Sequence, residues 1–324
     1  MIISVAIATY NGEKFIEKQL KSILNQTEKV DEVIICDDCS TDKTVQICRN
    51  FIINNGLSNW RVIVNENNVG YCFNFYNAVK TSTGDVIFLA DQDDEWHSDK
   101  VEKMVNCLNK YKDITVLASR YDVVDENSQI IKNSGVTYLG TVFDNSVEYL
   151  SVDSFIGCSY IRGFSMCFKS EIKDYLKPID LKSMLSHDWY ICIIGAIIGK
   201  TAVLNTKLTD YRFHNNNVSL SDMGRKTFIG DADKRIRGLR ESLEAHGYIR
   251  TIMKDEQNRN DIERFLRFEN KRLSFLTNKN IFYWLMLLPY LKQYSRYYKG
   301  NGIRVWLGDF AYAYHINFKV KKKI

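Results

Sequence analysis

Asp91, Asp93 and Asp94 stand together in the run Asp91-Gln92-Asp93-Asp94, directly after the apolar stretch Val86 to Ala90. Carboxylates at this spacing suit a hard divalent cation, Mg2+ or Mn2+, which keeps open positions for phosphate oxygens and neutralises a departing diphosphate. Read by itself, the run also fits a solvated acidic loop capping the helix that begins near Ser98. Two further polar clusters, Thr9-Tyr10-Asn11 and Asp37-Asp38, follow apolar stretches in the same way. Neither GxGxxG nor GxxxxGK[ST] occurs, so a bound diphosphate needs a source of positive charge other than a glycine loop. Cys36 and Cys39 form a CxxC, but two aspartates separate them and no second pair stands at zinc spacing. Metal or redox work is therefore not expected of them.

These clusters must be positioned by the elements around them. The first hundred residues alternate two hydrophobic periods, the pattern of strands interleaved with helices around a mostly parallel sheet, an α/β class. Strands are predicted at Ile2–Ala8, Val33–Cys36, Arg61–Val64 and Val86–Ala90. Helices are predicted through Phe15, Ile16, Leu20 and Ile23, through Val45, Cys48 and Phe51, and over Tyr71–Lys80. In such sheets ligands bind outside the carboxyl ends of strands, where all three polar clusters fall. Further on, a helix through Val101, Met104 and Leu108 leads to a strand at Ile114–Ala118. Strand-like pieces follow around 136–143 and Phe164–Phe168, then an apolar helix over Asp188–Gly199 and a strand at Ala202–Leu204. From Arg225 the chain turns to long, basic, aromatic-rich helices. The sequence thus divides into residues 1–224, a catalytic-sized domain, and 225–324, a helical subdomain.

Four motifs, in order and at consistent spacing, carry a resemblance: Val5 to Gly12 (VAIATYNG), Val33 to Asp42 (VIICDDCSTD), Asn68-Val69-Gly70, and Gly84 to Trp96 (GDVIFLADQDDEW). Over roughly residues 1–220 the chain resembles the family 2 inverting glycosyltransferases with the GT-A fold, a Rossmann-like sheet flanked by helices. Asp-Gln-Asp-Asp-x-Trp with His187-Asp188-Trp189 is most similar to the rhamnosyltransferase-like branch that builds bacterial surface polysaccharides. Residues 225–324 match no motif.

The resemblance implies that Thr9, Tyr10 and Asn11 line the base and ribose pocket, that Asp38 accepts the pyrimidine N–H, and that Asp91 contacts the ribose. It makes Asp93 the metal ligand of a DxD pattern, and implies a dTDP- or UDP-sugar donor and a glycan or lipid-linked acceptor. Where the family has Asp-Asp-Gly-Ser, this chain has Cys39, which would be strained at any positive φ. An inverting transfer needs one general base opposite the leaving diphosphate, and Asp188 matches that position; without the family, it reads as an aspartate at a helix N-terminus. His187 would orient the loop. Trp189 would wall the sugar or belong to the core. His214, in Tyr211 to Ser219, resembles a histidine near the metal in relatives, and is otherwise a structural one. Two rival readings stand beside the transferase: a non-catalytic nucleotide- or carbohydrate-binding protein of the same fold, and a phospho-acceptor receiver built on Asp37-Asp38, which lacks the further acidic strand end and lysine partner it would need.

The 324 residues carry a net charge of +5, unevenly placed: 22 basic and 29 acidic residues in 1–224, against 22 and 10 in 225–324. The Met1 segment reads as a strand and not as a secretory signal, so a cytoplasmic location is expected. The scattered cysteines suit a reducing compartment. The longest apolar stretch, Ile281 to Leu291, is too short to span a bilayer and contains Pro289. The basic charge, Phe282-Tyr283-Trp284, Leu285, Leu287, Leu288, Tyr294–Tyr298 and the closing Lys319–Lys323 suit peripheral docking on the anionic inner face of a membrane. The alternative is that the aromatic residues form a helical core or a homodimer interface. Nucleic acid is not expected as a partner.

Overall fold

The computed structural model describes residues 1–131, 143–158, 161–179, 185–214, 217, 232–298 and 302–314. The chain clusters into two compact units: Met1–Val152 with Ser159–Asp180 and Ser186–His214, and Asp153–Cys158 with Leu181–Leu185 and Asn215–Ile324. The boundary near 224, the lysine run 319–323 and all but the last residue of the strand expected over 136–143 lie outside the described residues.

In the first unit, β1 (Ile3–Thr9), β2 (Glu32–Asp37) and β4 (Val86–Asp91) are buried along almost their whole length, as the apolar runs require of parallel strands covered on both faces. With β3 (Trp60–Val64) they form the parallel half of the sheet, in the order β3-β2-β1-β4. The helices α1 (Ile16–Leu24), α2 (Thr44–Asn54) and α3 (Tyr71–Thr81) connect them. On α1 the spacing of Ile16, Leu20 and Ile23 turns one apolar face inward.

Beyond β4 the order continues β8-β6-β9-β5, through β5 (Glu95–Trp96), β6 (Ile114–Val124), β8 (Met166–Lys169) and β9 (Lys200–Arg212), with β7 (Val147–Leu150) also on β9. β8 runs antiparallel to both β4 and β6, while β9 runs parallel to β6. Between these strands lie α4 (Lys100–Lys110) and α5 (His187–Ile198). β6 and β9 are far longer than expected, because Ser119, Arg120 and Asp122 interrupt the apolar run of the first and Asn205, Thr206, Lys207 and Asp210 that of the second. β5, of two residues, and β7, of four, are too short to show a hydrophobic period.

The second unit holds α6 (Ala232–Ile252), α7 (Glu256–Asn278), α8 (Ile281–Leu285), α9 (Leu291–Tyr298) and α10 (Gly302–Ala313). It also takes in 153–158, where Gly157, at φ +89°, leaves room for Phe265 that a Cβ would fill. Its interior is built on paired charge. Asp309, fully buried, accepts two bonds from Arg272 (2.7 and 2.9 Å) and one each from Arg235 and Tyr294 (both 2.8 Å). Buried charges with this many donors are held in one geometry. Tyr294 and Leu287, expected at an interface, are fully buried. Among the described residues no helix is long and apolar enough to cross a membrane.

Candidate functional site

Strand register brings the three polar clusters of the first unit together. Thr9 pairs with Asp37, and Ala8 with Asp91, so the chain leaves β1, β2 and β4 at one sheet edge. Thr9 is buried, and its hydroxyl donates to Asp37 Oδ2 at 2.8 Å. The bond ties the end of β1 to the end of β2. Tyr10 is open, 48% exposed, and its peptide is gripped on both sides by the Gln92 amide: N–H to Oε1 at 2.8 Å, Nε2 to carbonyl at 3.0 Å. Gly12 permits this, since a Cβ there would lie 2.2 Å from Gln92 Oε1. The Asn11 side chain accepts from Thr41 N–H at 2.9 Å.

Asp38 is buried, with Oδ1 accepting from Val69 N–H and Oδ2 from Gly70 N–H, both at 2.8 Å. It anchors the Asn68-Val69-Gly70 segment beside the first strands, which explains why those motifs occur together. The turn that follows puts Cys39 at φ +69°. The strain foreseen for a cysteine in place of glycine is therefore present.

One carboxylate oxygen from each of Asp91, Asp93 and Asp94 lies within 4.8 Å of the other two. Burial, then the charges of Asp93 and Asp188, push Asp91 up to about 7. Burial, then Asp93 and Asp91, hold Asp94 well above the usual carboxylate range. Arg162 and Lys100 act on Asp91 in the opposite sense. Lys100 is fully buried, donates to Phe164 O (2.7 Å) and Thr209 Oγ1 (2.9 Å), and is pushed down to about 7 by burial. So much unneutralised carboxylate, with oxygen donors converging, fits Mg2+ or Mn2+. His214 Nε2 lies 2.9 Å from Asp93 Oδ2 and adds an imidazole to the donor set.

β9 delivers that histidine. Its last residue, Arg212, is fully buried and ties together three segments distant in sequence. The backbone N–H donates to Asp94 Oδ1 (3.0 Å), Nε to Asp93 O (2.9 Å), Nη1 to Asp125 O (2.9 Å), and Nη2 to Glu95. Arg212, Gln92, Lys100 and Arg162 have no part expected of them from the sequence. Gln92 sits inside a quoted motif and Arg212 two residues before His214, which was their only signal.

Asp188 begins α5. Its Oδ1 accepts from Trp189 N–H at 2.7 Å and from the Ser186 hydroxyl, and its charge is felt at Asp91. His187 stacks on Phe75 at 4.1 Å, and neither ring nitrogen has a hydrogen-bond partner among the described residues; burial pushes it down, toward the neutral form. Trp189 is fully buried beside Tyr190, so its ring belongs to the core and is not an open wall for a sugar.

The sequence profile described as glycosyl transferase family 2 matches residues 4–172. The dTDP-rhamnosyl transferase RfbG of Shigella flexneri is 30% identical over 230 residues, covering 65% of this chain and 72% of that protein. The Escherichia coli glucosyltransferase WfgD, which uses UDP-Glc and a GlcNAc-diphosphoundecaprenol acceptor, is 26% identical over 160 residues, 45% of this chain and 61% of that one. Among solved structures, Staphylococcus aureus TarS 1-349 in complex with UDP-GlcNAc superposes with a TM-score of 0.62 at 16% identity, covering 97% of this chain and 91% of that chain. At that identity the likeness is one of fold, and it bears out the GT-A arrangement of a mostly parallel sheet flanked by helices. With the profile spanning more than half of its length, the chain belongs to glycosyl transferase family 2.

Proposed function

We propose that this protein transfers a sugar, with rhamnose the first candidate, from a dTDP- or UDP-sugar to a hydroxyl of a growing, lipid-linked surface polysaccharide, with inversion at the anomeric carbon. The observation that carries this reading is the meeting, in one family 2 domain, of the acidic trio with a separate carboxylate, Asp188, whose charge reaches Asp91. Tyr10, Asn11 and Asp38 take the nucleoside. Asp91, Asp93 and His214 are the residues to hold a divalent cation, which when bound neutralises the diphosphate as it leaves. With Oδ1 of Asp188 held by Trp189 N–H and Ser186, Oδ2 takes the acceptor's proton. As the O–H bond breaks, the acceptor oxygen bonds to the anomeric carbon from the face opposite the diphosphate, and the bond to phosphate breaks.

Mass spectrometry over a panel of dTDP- and UDP-sugars identifies the donor. Asp188→Asn should then keep donor affinity while the transfer rate falls by ~10²–10⁴, the scale of lost acid–base catalysis. Asp93→Ala should remove metal-dependent donor binding in calorimetry, and the product's anomeric proton coupling should report inversion. A folded Asp188→Asn protein with near-native turnover would overturn the base assignment. Donor binding without hydrolysis or transfer under any condition would favour the non-catalytic reading.

A further inference from the structure

In the second unit, α8 and α10 pack through an unusual pair. Trp284 and Trp306 stack at 3.8 Å, with planes 7° apart, and each indole N–H donates to the other's backbone carbonyl at 3.0 Å. Phe310 joins Trp284 at 4.5 Å and Tyr314 at 4.7 Å, and the Tyr314 hydroxyl donates to Lys279 O at 2.6 Å. This lock makes the two helices one rigid piece, yet their outer side is not covered. Phe282 is 72% exposed, Met286 51%, Ile303 50%, and Leu285, Leu288 and Leu307 between 42% and 44%. Ile303, Leu307, Phe310 and Tyr314 recur at helical spacing, so the exposed face of α10 continues across Phe310 and Trp284 onto α8. A contiguous apolar face of this kind marks a partner.

The charge around it selects the partner. Among the described residues of 279–314 the basic ones are Lys279, Lys292, Arg296 and Arg304, and the one acid, Asp309, is buried against Arg272 and Arg235 and gives no negative charge to the surface. A second copy offering the same face would meet like charge around its rim. An anionic bilayer offers acidic headgroups to the basic residues and an acyl boundary to the apolar ones. We propose that the outer face of α8 and α10 docks this protein on an anionic lipid bilayer, with Phe282, Leu285, Met286, Ile303 and Leu307 entering the interface and Lys279, Lys292 and Arg304 binding headgroups. The proposal agrees with a lipid-linked acceptor, but it stands on the surface alone and its test involves no sugar transfer.

The test is flotation of the full-length protein with vesicles of phosphatidylcholine alone, or of phosphatidylcholine with phosphatidylglycerol, at low and high salt. Binding should require the anionic lipid and fall with salt. Phe282→Ser with Leu307→Ser should reduce partitioning about tenfold or more, and Lys279→Ala with Arg304→Ala by roughly fivefold per charge at low salt. Donor affinity, read by calorimetry on the same proteins, should not change, which separates failure of docking from failure of the transferase reading. Absence of flotation with anionic vesicles at low salt, equal binding to neutral ones, or undiminished binding by Phe282→Ser/Leu307→Ser overturns the proposal. A concentration-dependent dimer abolished by that same pair would assign the face to a second copy instead.

Discussion

Cys39 shows how a single residue can carry the cost of a family turn. At φ +69° a side chain with a Cβ crowds its own backbone, at about 1–2 kcal/mol for a residue other than glycine. Cys39→Gly relieves that crowding but gives the unfolded chain more freedom, so the net gain should be at most about 1 kcal/mol. Cys39→Val, branched at Cβ, should instead lose about 1 kcal/mol or more. Urea midpoints of the two variants check the ordering, and a stable Cys39→Val protein would mean that the turn relaxes to another conformation. Arg212 lies at the other extreme, spending its fork on three backbone carbonyls, the Ser128 hydroxyl and Glu95. Arg212→Met should cost about 3 kcal/mol and weaken Mn2+ binding, because the carbonyl of Asp93 loses its anchor. Calorimetric titration of the metal distinguishes this from a purely global loss, since Mn2+ affinity should fall even well below the melting range.

At the scale of elements, α5 matters most, because its N-terminus presents Asp188 while its C-terminal half must lie flat on β6. Gly195 makes that approach possible: a Cβ there would fall 2.3 Å from Val116 Cγ2 and 2.9 Å from Thr201 Oγ1. Gly195→Ala gains helix propensity, about 1 kcal/mol, but overpacks the helix–sheet seam, and the net effect should be a loss of about 1–3 kcal/mol. Val116→Ala placed in the Gly195→Ala background should recover part of that loss, a coupling that a double-mutant cycle in urea measures. Additive losses would show that the seam shifts as a whole and not at this contact. β9 plays the complementary part: thirteen residues long, it pairs with β5, β6 and β7 and ends at Arg212, so the DxD loop is held from the strand beside it.

Across the whole molecule, ionisation ties stability to pH and metal. Asp91 is held at about 7 and Asp94 well above its ordinary 3.8, because burial and mutual repulsion penalise the charged forms. A carboxylate raised in the folded state binds protons that the unfolded chain releases, so the stability it contributes is fully present below about pH 4 and is lost as pH rises through 7. Lys100, pushed down to about 7, acts in a separate window, with stability rising from there toward its ordinary 10.5. The EDTA-treated protein should therefore melt lower at pH 7.5 than at pH 5, as expected from the values of about 7. Mn2+ should raise the midpoint more at the higher pH, where the trio is ionised and the cation replaces the missing counter-charge. Differential scanning fluorimetry at matched ionic strength reads both shifts, and equal Mn2+ stabilisation at the two pH values would remove the trio as the metal site.

The sequence by itself determined the parallel half of the sheet, since Ile2–Ala8, Val33–Cys36 and Val86–Ala90 are apolar on both faces and can be satisfied only when covered from both sides. It determined, too, that the polar residues after those strands share one edge, because parallel strands all end on the same side. What it left out were the elements that make polar side chains do structural work. β9 reads as a three-residue strand until its partners β5, β6 and β7 are in place, for its alternating polar residues find their bonds only across the sheet. The same holds for Arg212 and Lys100, whose burial is tolerable only with carbonyls and carboxylates brought from segments far away in sequence, and for Trp189, whose ring could face a sugar or the core until packing enclosed it. In the C-terminal helices, composition announced a basic and aromatic surface, but only packing separated Tyr294 and Leu287, which fill the interior around the buried Asp309 cluster, from Phe282, Met286 and Ile303, which remain outside. Periodicity reports which residues are apolar; which of them stay exposed depends on how many the available neighbours can cover, and that is decided by tertiary structure.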